Sequence, residues 1–425
     1  NNCTDNCTAN CTIECQNNGT CTGNDTCTCT DGWTGDICDT PNNCTDNCTA
    51  NCTIECQNNG TCTGNNTCTC ATGWSGATCT IGCTGMFSNQ TTYTTDTNPI
   101  SLVLADVDSD NQLDIIVANY GSNNVGVLIN GGNGTFLTQI TYTTDTNPYS
   151  VAVVDVDTDG KLDIIVANYG SNTVGVLLNA GTGTFLAQTI YATDTNPSSV
   201  VVVDVNSDNL PDIIVANYGS NDVGVLINAG SGTFLAQTTY ITDTNPIAVA
   251  VVDVNSDNQP DIIVANYGSN DVGVLVNAGS GTFLAQTTYT TDINPHSVAV
   301  ADVNSDNLPD IIVANYGSNN VGVLLNGGSG TFLAQTTYTT DTNPYSVAVA
   351  DMNSDGKLDI VVANYGSNNV GVLLNAGTGT FLAQTTYSTD TNPYSAAVAD
   401  VNSDSKLDTV VANYGSNDVG VLIQC

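Results

Sequence analysis

Residues 297–338 read SVAVADVNSDNLPDIIVANYGSNNVGVLLNGGSGTFLAQTTY, and this stretch decides the fold. It holds four short β-rich runs, Ser297–Val303, Ile311–Asn315, Val321–Asn326 and Thr331–Tyr338. An Asp/Asn loop, an Asn-Tyr-Gly-Ser-Asn turn and a Gly-Ser-Gly turn separate them. Val and Ile favour a pleated, half-buried surface, and no helical periodicity competes. The same unit recurs every 49 residues without an insertion, with Asp106, Asp155, Asp204, Asp253, Asp302, Asp351 and Asp400 in one register. A fixed period of this length with four strands per unit predicts an all-β, seven-bladed β-propeller with four-stranded blades.

The ends of the repeat separate a ring from a β-solenoid. Phe87 to Tyr93 carries the outer-strand pattern with no inner strands before it, whereas Asp400 to Cys425 supplies three inner strands and no outer one. Seven periods added to Phe87 give register 430, where the missing strand belongs. A solenoid needs caps rather than complementary halves. The N-terminal strand is therefore expected to complete the last blade. The same arithmetic puts Cys83 directly after Cys425, so a Cys83–Cys425 disulfide is expected to lock the ring. The alternative is two free or intermolecular thiols.

Each unit contains Asp-x-[Asp/Asn]-x-Asp-[Gly/Asn/Ser]-x-x-Asp. Positions 1, 3, 5 and 9 are Asp106, Asp108, Asp110 and Asp114; Asp155, Asp157, Asp159 and Asp163; Asp204, Asn206, Asp208 and Asp212; Asp253, Asn255, Asp257 and Asp261; Asp302, Asn304, Asp306 and Asp310; Asp351, Asn353, Asp355 and Asp359; and Asp400, Asn402, Asp404 and Asp408. These positions never leave Asp or Asn, while positions 7 and 8 vary among Gln, Lys, Leu and Pro. A plain Asp turn does not explain that contrast. Calcium takes six to eight oxygens, which such a loop supplies, with a position-7 carbonyl added; magnesium demands tighter octahedral geometry. About seven Ca2+, one per blade, are expected. Position 6 is expected to turn left-handed, which makes Ser405 the least suited residue there and the last site the weakest.

This repeat resembles the FG-GAP/VCBS family found in integrin α-chain propellers and some propeller lectins. The resemblance implies metal loops on one face and recognition on the opposite face or between blades. That opposite face would carry the Asn119-Tyr120-Gly121 turns and the Asp145-Thr146-Asn147-Pro148-Tyr149 connections.

Seventeen of the 18 cysteines lie between Cys3 and Cys83, and sixteen of these belong to a 41-residue unit that occurs twice with eight cysteines in each copy. Dense cysteines in a short region imply a disulfide framework and an oxidising compartment. Zinc fits poorly, because the C-x2-C pairs and histidines of zinc sites are missing. The spacing C-x3-C-x5-C-x5-C-x-C-x8-C, with Gly32-Trp33 and Gly35 repeated as Gly73-Trp74 and Gly76, resembles an EGF-like module. That family's pairing implies Cys11–Cys21, Cys15–Cys27 and Cys29–Cys38, then Cys52–Cys62, Cys56–Cys68 and Cys70–Cys79. Cys3, Cys7, Cys44 and Cys48 are left over, with no metal assigned to either module. The domain reading is 1–41 and 42–82 as modules and 83–425 as the propeller.

N-glycosylation triplets stand at Asn2, Asn6, Asn10, Asn18, Asn24, Asn43, Asn47, Asn51, Asn59, Asn65, Asn89 and Asn133. Thr20 and Thr61 fit the EGF-family O-fucose pattern, and Thr34 and Ser75 its O-linked N-acetylglucosamine pattern. Together they suggest a sugared stalk.

Three Lys and no Arg stand against 41 acidic residues, for a net charge of -38. Nucleic acid and anionic membrane surfaces are unsuitable partners for such a chain. No apolar run of membrane-spanning length occurs, and no signal peptide precedes Asn1, so the chain reads as a mature or fragmentary product. Both glutamates, Glu14 and Glu55, lie in the modules, and the lone His296 sits where other units have Tyr, Ile or Ser. General acid–base chemistry usually needs His or Glu. The expectation is a non-catalytic extracellular glycoprotein, structural or adhesive, whose partners are other extracellular proteins, glycans or further copies in a filament. The second reading is a multivalent lectin with one sugar pocket per blade.

Overall fold

The computed structural model describes residues 56–64, 67–70, 74–75, 78–79, 81–82 and 85–425, and earlier strands at Thr20–Gly23, Thr26–Thr28, Trp33–Thr34 and Thr40–Pro41. Two compact units emerge: residues 1–88 with Cys425, and residues 89–424.

The larger unit is seven four-stranded antiparallel sheets. Blade 1 runs Pro99–Ala105, Asp114–Asn119, Asn124–Leu128 and Ile140–Thr143, and blades 2 to 6 repeat it. Blade 7 combines Pro393–Ala399, Asp408–Asn413 and Asp418–Leu422 with Thr91–Thr94 from the other end of the chain. Asp418 pairs with Thr94 and Val421 with Thr91, so the ring closes as the two incomplete ends require.

The fourth strand is shorter than its sequence pattern suggests. In blade 5 it covers only Thr336–Thr339, while Phe332 forms a separate bridge to Asn326. The Phe side chain causes the break. It turns inward to meet the previous blade's tyrosine, as in the Tyr289–Phe332 edge contact at 5.4 Å, and leaves Leu333 exposed.

Second strands are buried on both faces along their whole length, which explains their unbroken DIIVAN-type sequence. The core lies between blades rather than under one sheet. Ile116, Ala118, Val125 and Val127 of blade 1 pack on Ile164, Val166, Leu177 and Phe185 of blade 2. Leu102, Ile115, Val117 and Leu128 pack on Val410, Ala412, Val419 and Val421 across the closure. Each fully buried Val, Leu or Ile contributes about 1.5–3 kcal/mol, so cutting one interface removes a large share of the stability.

In the smaller unit, two hairpins recur 41 residues apart: Thr20–Gly23 with Thr26–Thr28 and Trp33–Thr34 with Thr40–Pro41, then Thr61–Gly64 with Thr67–Thr69 and Trp74–Ser75 with Ile81–Gly82. Cys56–Cys68 and Cys70–Cys79 are disulfides, two of the three pairs implied for the second module. Cys425 is disulfide-bonded, and its backbone N–H donates to the Met86 carbonyl at 2.9 Å. Its expected partner Cys83 lies outside the described residues, as do the side chains of Cys11, Cys15, Cys21, Cys27, Cys29, Cys38, Cys52 and Cys62. No helix among the described residues is long and apolar enough to cross a membrane.

Candidate metal loops

Each acidic loop joins the first strand of a blade to the second, and Ala105 pairs with Asp114 where the two strands meet. All seven loops therefore share one end of the ring. Their backbone is shaped by the position-1 aspartate. Asp106 Oδ1 accepts the Asp110 N–H at 3.1 Å, and its Oδ2 accepts the Asn111 N–H at 2.8 Å. The Oδ2 bond recurs from Gly160, Asn209, Asn258, Asn307, Gly356 and Ser405.

Position 6 is left-handed in every blade, from Asn111 (φ 67°) to Gly160 (φ 86°) and Ser405 (φ 69°). Position 4 is left-handed too, as at Ser109 (φ 65°) and Thr158 (φ 62°), which the sequence did not disclose because Ser and Thr rarely adopt it. Two left-handed residues fold the chain tightly enough to bring alternate side chains together. Carboxylate oxygens of Asp106, Asp108 and Asp114 lie within 4.8 Å of one another, as do those of Asp155, Asp157 and Asp159.

The donor set fits a hard divalent cation. Asp108 Oδ1 is buried with no hydrogen-bond partner, the condition of an oxygen shaped for an ion. Burial, with Asp110 and Asp106 beside it, pushes the Asp108 carboxyl above its usual range. Residues at positions 1, 3, 5 and 9 would hold the ion, which would supply charge neutralisation and cross-link the loop. In blades 3 to 7 position 3 is Asn; the Asn206 amide oxygen accepts the Asp208 N–H at 2.9 Å.

The position-9 aspartate has a second task. Asp114 is fully buried; its Oδ2 accepts the Val107 N–H at 3.0 Å and its Oδ1 the Asn130 N–H at 2.8 Å. Burial outweighs these bonds and pushes Asp114, Asp163, Asp212 and Asp310 up to about 6 and Asp408 to about 7. Asp261 and Asp359 are raised for the same reason.

Asn130 ties its blade to the preceding one. Its Nδ2 donates at 2.9 Å to the carbonyl of Val401, position 2 of the blade 7 loop. Asn179, Asn228, Asn277, Asn326 and Asn375 repeat the bond to Val107, Val156, Val205, Val254 and Val303, and Gln424 completes the ring on Met352. The sequence reading missed these residues. Their signal was an amide side chain two residues after the third strand of every blade.

The other end of the ring holds the tyrosines, because Pro99 at the start of the first strand pairs with Asn119 before the Tyr120 turn. Tyr149, Tyr169, Tyr218, Ile247, Tyr267, His296 and Tyr345 line a cavity of about 190 Å3. His296 is buried among them, bonded through Nδ1 to the Tyr345 carbonyl at 3.0 Å; burial lowers it to about 4, so it stays neutral. It packs like the Tyr and Ile of its register. Asn59, Asn89, Asn133 and Thr61 are exposed, as sugar acceptors must be. Asn2, Asn6, Asn10, Asn18, Asn24, Asn43, Asn47, Asn51 and Asn65, with the side chains of Thr20, Thr34 and Ser75, lie outside the described residues.

No curated protein sequence matches the chain. Among solved structures it is similar to BBS1N crystallised in complex with ARL6DN, at 10% identity and TM-score 0.57 over 80% of this chain and 97% of that one. It is similar to a streptogramin B lyase at 16% identity and TM-score 0.58, over 80% and 98%. The Kuenenia stuttgartiensis hydrazine synthase matches at 16% identity and TM-score 0.57, over 78% and 97%. At such identities these likenesses carry the propeller fold alone. The FG-GAP-like repeat model matches six times in overlapping windows, from residues 106–166 to residues 351–411. Each window holds two successive acidic loops whole, and the chain belongs to the FG-GAP-like repeat family.

Proposed function

We propose that this chain is a non-catalytic, extracellular structural glycoprotein whose disc is stiffened by one calcium ion per blade. The observation that carries the reading is the position of the acidic loops. Each is tied to its neighbour by an Asn or Gln side chain, so an ion held there braces the ring instead of opening a reaction site. Seven Ca2+ would reduce the formal charge from -38 to about -24. The disulfides agree with an oxidising compartment, and the cysteine-rich arm reads as two EGF-like spacers bearing sugars. Such a disc and arm suit a surface filament or matrix, with other extracellular proteins, glycans or further copies as neighbours. Sedimentation of the purified chain with calcium tests assembly: concentration-dependent growth supports it, and a monomer at every concentration contradicts it.

The tyrosine-lined cavity favours a second reading, a carbohydrate-binding propeller, since sugar rings stack on aromatic faces. A glycan array without hits would remove that reading.

A further inference from the structure

The three lysines of this chain all occupy position 7 of an acidic loop: Lys161 in blade 2, Lys357 in blade 6 and Lys406 in blade 7. Gln112, Leu210, Gln259 and Leu308 hold that register elsewhere. A chain with 41 acidic residues has thus placed every permanent positive charge beside a candidate metal site. Lys161 Nζ forms an ion pair with Asp159 Oδ2, and Lys357 Nζ pairs with Asp355 Oδ2 at 2.9 Å. These are the ion pairs among the described residues, and in each the acceptor is the position-5 carboxylate.

The pairs are built into the loop. A Cβ at Gly181 would lie 3.8 Å from Lys161 Cε, and one at Gly377 3.9 Å from Lys357 Cε, so both stems run along the turn after the third strand. The ammonium beside each holds the Asp159 and Asp355 carboxyls below their usual range. Lys161 also lies in the field of Asp157 and Asp163.

We infer that Lys161 and Lys357 are internal counter-cations that lower the calcium affinity of blades 2 and 6, dividing the loops into tight and weak classes. This rests on the calcium reading above. The ammonium already neutralises one ligand carboxylate, and an incoming Ca2+ must displace it or bind beside a like charge. At such separations in a water-like dielectric the like charge weakens binding about tenfold. Lysine-free loops then fill first and brace the disc at low calcium. Blades 2 and 6 fill later, and their lysines limit carboxylate repulsion in the meantime.

The test is the full chain carrying K161Q and K357Q, titrated with calcium chloride by calorimetry and melted in a chelator. Gln already serves this register in blades 1 and 4, so the fold tolerates it. The wild type should show a tight class from blades 1, 3, 4 and 5 and a weaker class holding blades 2 and 6, with blade 7 weak on the separate ground of Ser405. In the variant, two equivalents should move to the tight class with affinity raised about tenfold, while the chelated melting temperature falls. K406Q is the control for general charge, and should leave the chelated melting temperature unchanged. Superimposable isotherms for wild type and variant would overturn the inference while leaving calcium binding intact. A wild type that binds no calcium would overturn the metal reading and the inference with it.

Discussion

Asn130 Nδ2 donates to the Val401 carbonyl across the seam where the two ends of the propeller meet, at 2.9 Å. The Asn130 backbone N–H meanwhile holds Asp114 Oδ1 in its own blade. One residue thus couples the acidic loop of blade 1 to that of blade 7, and six others repeat the coupling round the ring.

Removing such a tie should be costly. N228A leaves the Val156 and Pro211 carbonyls without the donor that reaches them at 2.9 and 3.0 Å. The loss should be about 1–3 kcal/mol, read as a lower denaturation midpoint with unchanged slope. N228Q should lose less, because Gln424 does this work in blade 7.

Ser405 is the one position-6 residue that is neither Gly nor Asn, at φ 69°. S405G should stabilise the calcium-loaded protein by about 0.5–1 kcal/mol, since Gly takes that conformation without Cβ strain. It should also raise the affinity of the last site, as calcium titration of the variant would show.

The buried position-9 aspartates give a pH dependence with a definite sign. The folded-state values of Asp114, Asp163, Asp212 and Asp310, about 6, and of Asp408, about 7, exceed the ordinary 3.8, and Asp261 and Asp359 are raised too, so the folded state takes up protons first as pH falls. Without calcium, stability should be greatest near pH 4 on this account and should fall as pH rises through 6 to 7. With calcium the trend should reverse, because protons compete for the same oxygens. Melting curves at several pH values, in chelator and in calcium, would separate the two trends.

Cys425 is disulfide-bonded, and the register places Cys83 beside it. Non-reducing digestion followed by mass spectrometry should give one peptide pair joining Cys83 and Cys425. C425S should lower the melting temperature under oxidising conditions, with a cost of about 2–5 kcal/mol.

Much of this architecture was legible because the repeat is exact. The register of Asp106 fixed the blade count, and the incomplete pattern at Phe87 foretold that Thr91–Thr94 would enter blade 7. The start of that strand was not legible. Phe and Thr have the same β preference, and only packing against a neighbouring Tyr ends the run at Phe332. The candidate metal positions of each loop stood out by their restriction to Asp and Asn. The tie from Asn130 was hidden, because an Asn after an apolar run reads as a turn residue until the neighbouring carbonyl is seen. Ser109 was hidden likewise, since nothing in a Ser announces a left-handed backbone; it precedes Asp110 and Asn111, whose N–H groups the Asp106 carboxylate holds.

Calcium binding by the seven loops is decided by scanning calorimetry of the chain in excess calcium and in excess chelator. A much higher melting temperature is expected with calcium, with about seven ions bound per chain by equilibrium dialysis. An unchanged melting temperature and no bound calcium would contradict it.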